Sequence, residues 1–425
     1  MKSYLLLIFA FAFVLKTGAQ DFISVTNGAS YAQQAFYRLS DDATTNIDNA
    51  AWDIAFTTVG LQDAGILVNE SSKTSFAAPQ PDVEVYAAET NVWGDVTDTS
   101  AIGERLYNNE IDWLYGGAFN SSRSPSDPFD FGWGKYNFMT NQVTGDKVFV
   151  IRLRDRSYKK FQIQNIILKT YTFRYANLDG SNEVVKTLNK DDHDGSPLAY
   201  FSFASGDFIT SVQKDWDLLF CRYITPIEDN TGAFIPFPVT GTLSGFGVKV
   251  AEARGIDPST VKYEDYADSL STVLDVIGYD WKEFANNSEW VLAPDLVYFV
   301  KTTDGKVWKI TFLAFGGSTT GEIVFEKTDV TPVSSVSENS NIQSFGISPN
   351  PAQYQTTMFF DLTESVQALN VAIFDQQGRT LRTYQFKPAR GLNAIQLNEL
   401  PAEAGLYFVR VTDGKSALTQ KLLVR

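Results

Sequence analysis

The sequence predicts an all-β protein. Aromatic residues make up 14% of the chain, alongside abundant Val, Thr and Ser. Apolar side chains recur at every second position in short runs, and Gly, Pro and Asn separate those runs. Within this class the chain reads as an antiparallel β-sheet domain with two internally similar halves, about 22–176 and 186–327. A small immunoglobulin-like β-sandwich over 344–425 follows it.

The first segment is an export signal. Met1-Lys2-Ser3 is positive, Tyr4–Leu15 is a short apolar core, and Thr17-Gly18-Ala19 supplies small residues for a cut after Ala19. The apolar stretch is too short to span a bilayer, and no other run is long and apolar enough to do so. No cysteine lies near the cut, which excludes a lipoprotein anchor. Cys221 is the only cysteine, so no internal disulfide contributes to folding.

The 425 residues carry 35 basic and 50 acidic side chains, a net charge of −15. Setting aside the signal and the C-terminal segment leaves 25 basic against 44 acidic residues, near −19. Such a field repels nucleic acid and anionic lipid and suits cations or uncharged ligands.

Residues 20–327 repeat themselves. Phe36-Tyr37 precedes Trp52-Asp53-Ile54-Ala55-Phe56 at the spacing by which Tyr200-Phe201 precedes Trp216-Asp217-Leu218-Leu219-Phe220. Phe149–Ile163 aligns without gaps on Tyr298–Phe312, matching Arg152 with Lys301, Asp155 with Asp304 and Lys160 with Lys309. Asp112-Trp113 and Asp280-Trp281 give one Asp-Trp pair to each half. Two copies are too few for a solenoid, so two related sheets sharing one core are expected.

Lys169–Tyr175 alternates, with Tyr171, Phe173 and Tyr175 on one face, as a half-buried strand does. Trp52, Ile54 and Phe56 are expected to share a face, as are Trp216, Leu218 and Phe220. Asp53 and Asp217 then point away, toward solvent or a turn donor. Lys147–Leu153 is apolar enough to be covered on both faces. Val261–Gly278 is the best helix candidate, stopped by Gly278, although its β-branched residues weaken it. Thr328–Gln343, poor in large apolar groups, reads as a flexible linker between domains.

Two aromatic segments are candidate binding surfaces. Asp112–Met139 carries Trp113, Tyr115, Trp133 and Tyr136 among Gly, Asn, Ser and Pro, and has no counterpart of comparable size in the second half. Such rings stack on sugars or other flat ligands, or cover one end of a core. Pro226–Phe237 is a second aromatic loop.

The acidic loop Asp191-Asp192-His193-Asp194-Gly195 places Asp192 and Asp194 at calcium-loop positions. Lys190 occupies the first donor position and Phe201 the closing one, which favours a solvated turn. Enzyme chemistry finds little support. A Ser-His-Asp triad must use the single His193 without a nucleophile motif, Cys221 follows a hydrophobic strand, and no zinc spacing exists. The chain is expected not to be an enzyme.

The last 80 or so residues carry Ile347-Ser348-Pro349-Asn350-Pro351-Ala352, Val371–Arg379 and Gly405–Val411 before ending in Lys421-Leu422-Leu423-Val424-Arg425. In this order they resemble the type A C-terminal sorting domain of the type IX secretion system of Bacteroidetes. The resemblance implies engagement of the type IX secretion machinery. It also implies a secreted or cell-surface product, on the outer-membrane exterior, once the signal peptide and sorting domain are removed.

Trp52–Phe56, Trp216–Phe220, Gly247–Ala251, Ile277–Lys282, Val297–Phe312 and Phe315–Gly321 resemble the HmuY family, named for a haem-binding hemophore. That resemblance implies an all-β sandwich holding its ligand between loops, with haem as a candidate cofactor. Family members ligate iron through two histidines or through methionines. Here His193 and Met139 are the only such residues outside the signal and sorting domain, and neither falls on a family ligand position. The functional expectation is capture of haem or another small ligand. The alternative is a glycan or protein adhesin using the aromatic segment, with a cryptic hydrolase third.

Overall fold

The structure is a computed structural model. It describes residues 21–332 and 341–425, apart from 61–62, 75–78, 194, 213, 286–288, 377 and 415–416. The signal peptide, Asp194 and residues 333–340 of the linker lie outside the described residues. The chain divides into a unit ending at Thr331 and a second over Pro332–Arg425. Both are built of antiparallel sheets, as the all-β reading requires.

The internal repeat is structural. In the first half, Phe149–Arg152 pairs with Tyr158–Ile167, setting Phe149 opposite Phe161. In the second half, Leu296–Lys301 pairs with Val307–Phe315, setting Tyr298 opposite Ile310 in the equivalent register. The long strand of each pair slips by one residue at the same point, between Ile163 and Asn165 and between Phe312 and Ala314. A bulge kept in both copies is a built feature of the fold.

The halves exchange their leading strands. Asp21–Thr26, which opens the first half, pairs with Glu322–Asp329 at the edge of the second half's sheet. Val184–Asn189, which opens the second half, pairs with Thr170–Ala176 at the edge of the first half's sheet. The next strands do the same. Gln33–Tyr37 pairs with Leu218–Glu228, setting Tyr37 opposite Leu218. Leu198–Ser202 pairs with Ile54–Thr57, setting Phe201 opposite Ile54.

Three cores result. Ile54, Phe56, Trp133, Phe149, Phe161, Phe173 and the incoming Phe201 fill the first half. Leu218, Phe220, Trp281, Tyr298, Phe312, Phe325 and the incoming Tyr37 fill the second. Between them, Phe36, Trp52, Ala55, Trp113, Tyr200, Trp216, Leu219 and Cys221 form a shared layer.

Two expectations change here. Trp52 does not share a face with Ile54 and Phe56, nor Trp216 with Leu218 and Phe220. Both indoles pack in the shared layer instead. The cause is the aspartate that follows each indole. Asp53 N–H donates to the Phe201 carbonyl at 2.8 Å and its Oδ2 accepts from Phe203 N–H at 2.7 Å. Asp217 N–H donates to the Tyr37 carbonyl at 2.8 Å and its Oδ2 accepts from Leu39 N–H at 2.8 Å. Each aspartate clamps the exchanged strand, so strand alternation begins only after it. Both carboxylates are buried and accept from turn residues, Phe203 and Leu39, which is the turn-donor alternative of the sequence reading.

Val261–Gly278 is not a helix. It holds two 3-10 turns, Tyr263–Asp265 and Ala267–Ser269, and then runs extended. Ser271 and Val250 exchange backbone hydrogen bonds of 2.8 and 2.9 Å, and Gly278, at φ 54°, does the same with Thr242. These tertiary bridges override a weak helix propensity.

The expected alternations hold elsewhere. Tyr171, Phe173 and Tyr175 are buried on one face. Val148–Ile151 is covered on both faces, with Phe149 and Ile151 in the first core and Val148 and Val150 in a smaller outer cluster.

The second unit is a two-sheet sandwich. Ile342–Ser348, Thr356–Leu362 and Gly391–Leu397 face Thr380–Phe386, Leu369–Phe374, Gly405–Thr412 and Ala417–Val424. Met358, Phe360, Val371, Ile373, Val409, Val411, Leu422 and Val424 meet between the sheets.

Equivalent clamps should carry equivalent energy. Asp53→Ala and Asp217→Ala each strand a backbone N–H donor, part-buried at Phe203 and buried at Leu39, so each is expected to destabilise the first unit by about 1–3 kcal/mol. Urea unfolding of the two variants checks this. A full cost at one site and none at the other would break the equivalence.

Candidate ligand-binding groove

The aromatic residues singled out from sequence are mostly structural. Trp133 is fully buried and donates Nε1–H to the Ala64 carbonyl at 2.9 Å. Trp113 is buried in the shared layer, stacked on Phe246, with Nε1–H donated to the Ser244 carbonyl at 2.8 Å. Tyr115 is half-buried under the Arg123 guanidinium, 4.1 Å from its ring. Tyr136 stacks on Phe129 and its hydroxyl lies 3.1 Å from Asn141 Oδ1.

Part of this segment also has a counterpart. Trp133 leads into the hairpin Gly134–Asn137 and Gln142–Gly145, as Trp281 leads into Lys282–Ala285 and Glu289–Leu292. The two fully buried tryptophans occupy matching places.

His193 and Met139 are not brought into one site. Met139 is 81% exposed at its hairpin tip. His193, half-buried and 5.5 Å from the Phe208 ring, lines a cleft of about 520 Å³ with Lys190, Lys214 and Phe246 but without Met139. Burial lowers the imidazole pKa from its ordinary value, with Asp192 opposing. Neither residue is positioned with the other as an axial pair for haem iron. Among the described residues, no group of three or more His, Cys, Asp and Glu could hold a metal ion.

The second aromatic segment forms the more open site. Pro226–Phe237 is not a loop but the outer part of a hairpin of two 11-residue strands, Leu218–Glu228 and Phe234–Ser244. Only Leu218, Leu219 and Phe220 pair with Gln33–Tyr37, so the hairpin projects beyond the sheet. Pro236 and Pro238 remove backbone donors from its edge, which blunts strand addition and leaves the side chains as the recognition surface. Phe234 is 70% exposed and Phe237 50%.

The Lys282–Ala285/Glu289–Leu292 hairpin supplies the other wall, with Phe284 and Trp290 exposed by 47% and 36%. Trp290 packs edge-on against Phe315 at 4.9 Å. Gly317, at φ 58°, makes room for it, since a Cβ there would sit 2.8 Å from the indole Nε1.

Between the walls lies a groove of about 280 Å³ that includes Tyr31, Phe237, Tyr279 and Trp290, with Arg222 and Lys282 at its floor. Tyr31 stacks on Phe315 at 6.2 Å, and the Arg222 guanidinium lies 5.6 Å from the Tyr31 ring. Lys282 Nζ donates to the carbonyls of Thr240 at 2.6 Å and Tyr279 at 3.3 Å, 4.0 Å from the Trp281 ring centre. Burial pushes its amine down to about 7. Sequence reading flagged the Phe234–Pro238 run but missed Tyr31, Arg222, Lys282 and Trp290, which come from three separate stretches of chain.

Beneath Arg222 a smaller cavity of about 50 Å³ lies in the shared layer, lined by Trp52, Leu67, Glu70, Trp113, Cys221 and Tyr223. Burial pushes the Cys221 thiol well above its ordinary range. Glu70 is 5% exposed, and its two oxygens accept from Asn108 N–H at 2.9 Å and Ile224 N–H at 3.3 Å. Burial outweighs those bonds and pushes its carboxyl up to about 8.

The family match falls on the second unit. Residues 346–425 match the family described as the secretion system C-terminal sorting domain. The chain therefore ends in a type IX sorting domain, which marks it for export to the cell surface or beyond. No curated protein matches the chain. The crystal structure of dimeric latent PorU from Porphyromonas gingivalis is similar at 11% identity and a TM-score of 0.17, over 67% of this chain and 26% of that one. This chain thus spans about a quarter of that protein's length. The HmuY resemblance of the first unit rests on its sequence motifs alone.

Glu70 gives the first unit a definite pH dependence. Its folded pKa lies above the unfolded carboxylate value, so its contribution is full below about pH 4.5 and is lost as pH rises toward 8. Asp217 and Asp275, raised to about 6 by burial, act in the same direction over a lower range. Stability should therefore fall between pH 5 and 8. Glu70→Gln should remove the largest part of that slope, on the order of a few kcal/mol. Melting temperatures at pH 5, 6.5 and 8 test this, and equal slopes in parent and variant would mean that Glu70 is already ionised in the folded chain.

Proposed function

We propose that the chain is carried out by the type IX secretion system and that its first unit, an HmuY-like scaffold, works there as a binding protein. The site is the groove between the two projecting hairpins, and the ligand is a ring-shaped small molecule or glycan. One observation carries this reading. Phe234, Phe237, Phe284 and Trp290 are exposed on hairpins that border a single groove. Exposed aromatic side chains beside a groove suit recognition, and aromatic faces stack on sugar rings and flat ligands.

Binding rather than turnover fits the arrangement. The groove offers rings, one guanidinium and a buried amine, but no carboxylate pair and no nucleophile with a base beside it. Haem is not the favoured ligand, because the groove lining holds neither His nor Met to meet the iron.

Trp290→Ala and Phe237→Ala should each weaken ligand retention about tenfold or more on a glycan array that includes neutral and acidic oligosaccharides. Trp113→Ala and Trp133→Ala should instead lower the melting temperature. Retention unchanged in both groove variants would remove the groove from the function. Removal of 346–425 should hold the protein inside the producing cell, as fractionation followed by immunoblotting would show. Undiminished export of the shortened chain would contradict the sorting role.

A further inference from the structure

We infer that the ligand of this groove is an acidic sugar, its carboxylate paired with Arg222 and its ring lying between Phe237 and Trp290. The inference rests on the binding reading above and adds the charge of the ligand.

Arg222 is under-partnered for a cation in its position. Its one side-chain hydrogen bond runs from Nη2 to the Pro238 carbonyl at 3.4 Å. Its Nε is buried with no acceptor. Among the described residues, no carboxylate lies within ion-pair distance of it, whereas Arg38, Arg105, Arg174 and Arg254 each meet one. Arg154, also desolvated and without a carboxylate, is compensated by the carbonyls of Ser71, Pro81 and Asn69. Arg222 shares an unbonded buried Nε with Arg105, Arg152 and Arg154, but among the described residues its partners are one carbonyl and the Tyr31 ring, 5.6 Å away.

A desolvated guanidinium costs free energy until an anion meets it. In a chain of 50 acidic and 35 basic residues, an internal carboxylate partner would have been easy to place. Arg222 instead lines an open groove, and the donor fork of a guanidinium suits a carboxylate. Lys282 adds a second basic group at the floor, with Nζ already engaged by two carbonyls.

Size and walls select the rest of the ligand. About 280 Å³ lies at the small end of ligand pockets, which suits one or two sugar rings better than a tetrapyrrole. Phe237 and Trp290 offer the apolar faces against which pyranose rings stack. A uronic acid carries both features in one residue.

The test titrates the full chain with tetragalacturonate, tetramannuronate and the methyl ester of tetragalacturonate, followed by tryptophan fluorescence and calorimetry. The ester keeps the rings and removes the charge. The expected result is that an acid binds at least tenfold more tightly than the ester, and that added NaCl weakens the acid alone. Arg222→Gln should erase both the difference between acid and ester and the salt dependence of acid binding. Trp290→Ala should weaken both. The salt series on the parent chain keeps the test valid should Arg222→Gln fold poorly.

Equal binding of acid and ester, or a preference surviving Arg222→Gln, overturns the inference and leaves ring binding standing. Capture of indole-3-acetate with no uronate binding overturns the sugar assignment. No response to any of these probes, together with an empty glycan array, overturns both readings.

Discussion

The exchange of leading strands between the two halves is the constraint on which the rest of the first unit depends. Neither half closes its core alone. Tyr37, from the first half of the sequence, seals the second core, and Phe201, from the second half, seals the first. Each exchanged strand is held by a Trp-Asp step whose carboxylate caps its backbone and whose indole joins the shared layer. The repeat is therefore one folding unit rather than two tandem domains. The candidate groove inherits this composite character, since Tyr31 comes from the first half and Arg222, Lys282 and Trp290 from the second.

A second regularity concerns charge. Lys160, Lys190, Lys282 and Lys327 are all buried, and each donates to backbone carbonyls beside an aromatic ring. Their rings are Trp93, Tyr171, Trp281 and Trp308. Lys327 reaches Leu39 and Asp42, and Lys190 reaches Val59, Gly60 and Asp63, so two of the four tie segments of opposite halves together. Carbonyl acceptors and ring faces compensate the buried ammonium groups, with a carboxylate added only at Lys327, through Asp42. Basic residues used in this way do not neutralise the surface, which is one reason the exterior is strongly acidic. Arg222 has a weaker form of the same treatment, one carbonyl at 3.4 Å and the Tyr31 ring at 5.6 Å.

Much of the fold was legible in the sequence. The Tyr171–Tyr175 alternation, the Trp-Asp repeats and the gapless match of Phe149–Ile163 to Tyr298–Phe312 all correspond to real strands in matching register. Matched residues even share tasks, since Lys160 and Lys309 both donate to carbonyls of covering loops. Strand exchange was not legible, because period-two alternation says which face is apolar but not which partner supplies the adjacent strand. The site was half legible. The Asp112–Met139 aromatics looked exposed because they sit among Gly, Asn and Ser, yet Asn120 buries that segment. Its side chain donates to the Ala64 and Phe131 carbonyls and accepts from Ile66 N–H. Phe234-Ile235-Pro236-Phe237-Pro238 is different, since both faces of a projecting strand are apolar and neither can be turned inward.

The repeat also explains why the mirrored position lacks the groove's key side chains. Trp52 matches Trp216, so Thr58 stands where the second half has Arg222. Phe201 matches Tyr37, so Gly195 stands where the first has Tyr31. Trp133 matches Trp281, so Gly134 stands where the second half has Lys282. At the mirrored position, then, a small or uncharged residue replaces the ring, the guanidinium and the amine. Thr58 and Gly195 instead border the wider cleft that includes His193. Core positions are constrained in both copies by packing and register, whereas groove positions are not. Divergence concentrated there, on a backbone kept alike in its bulges and clamps, is what a duplicated scaffold leaves when one of two mirrored positions takes on the proposed binding role.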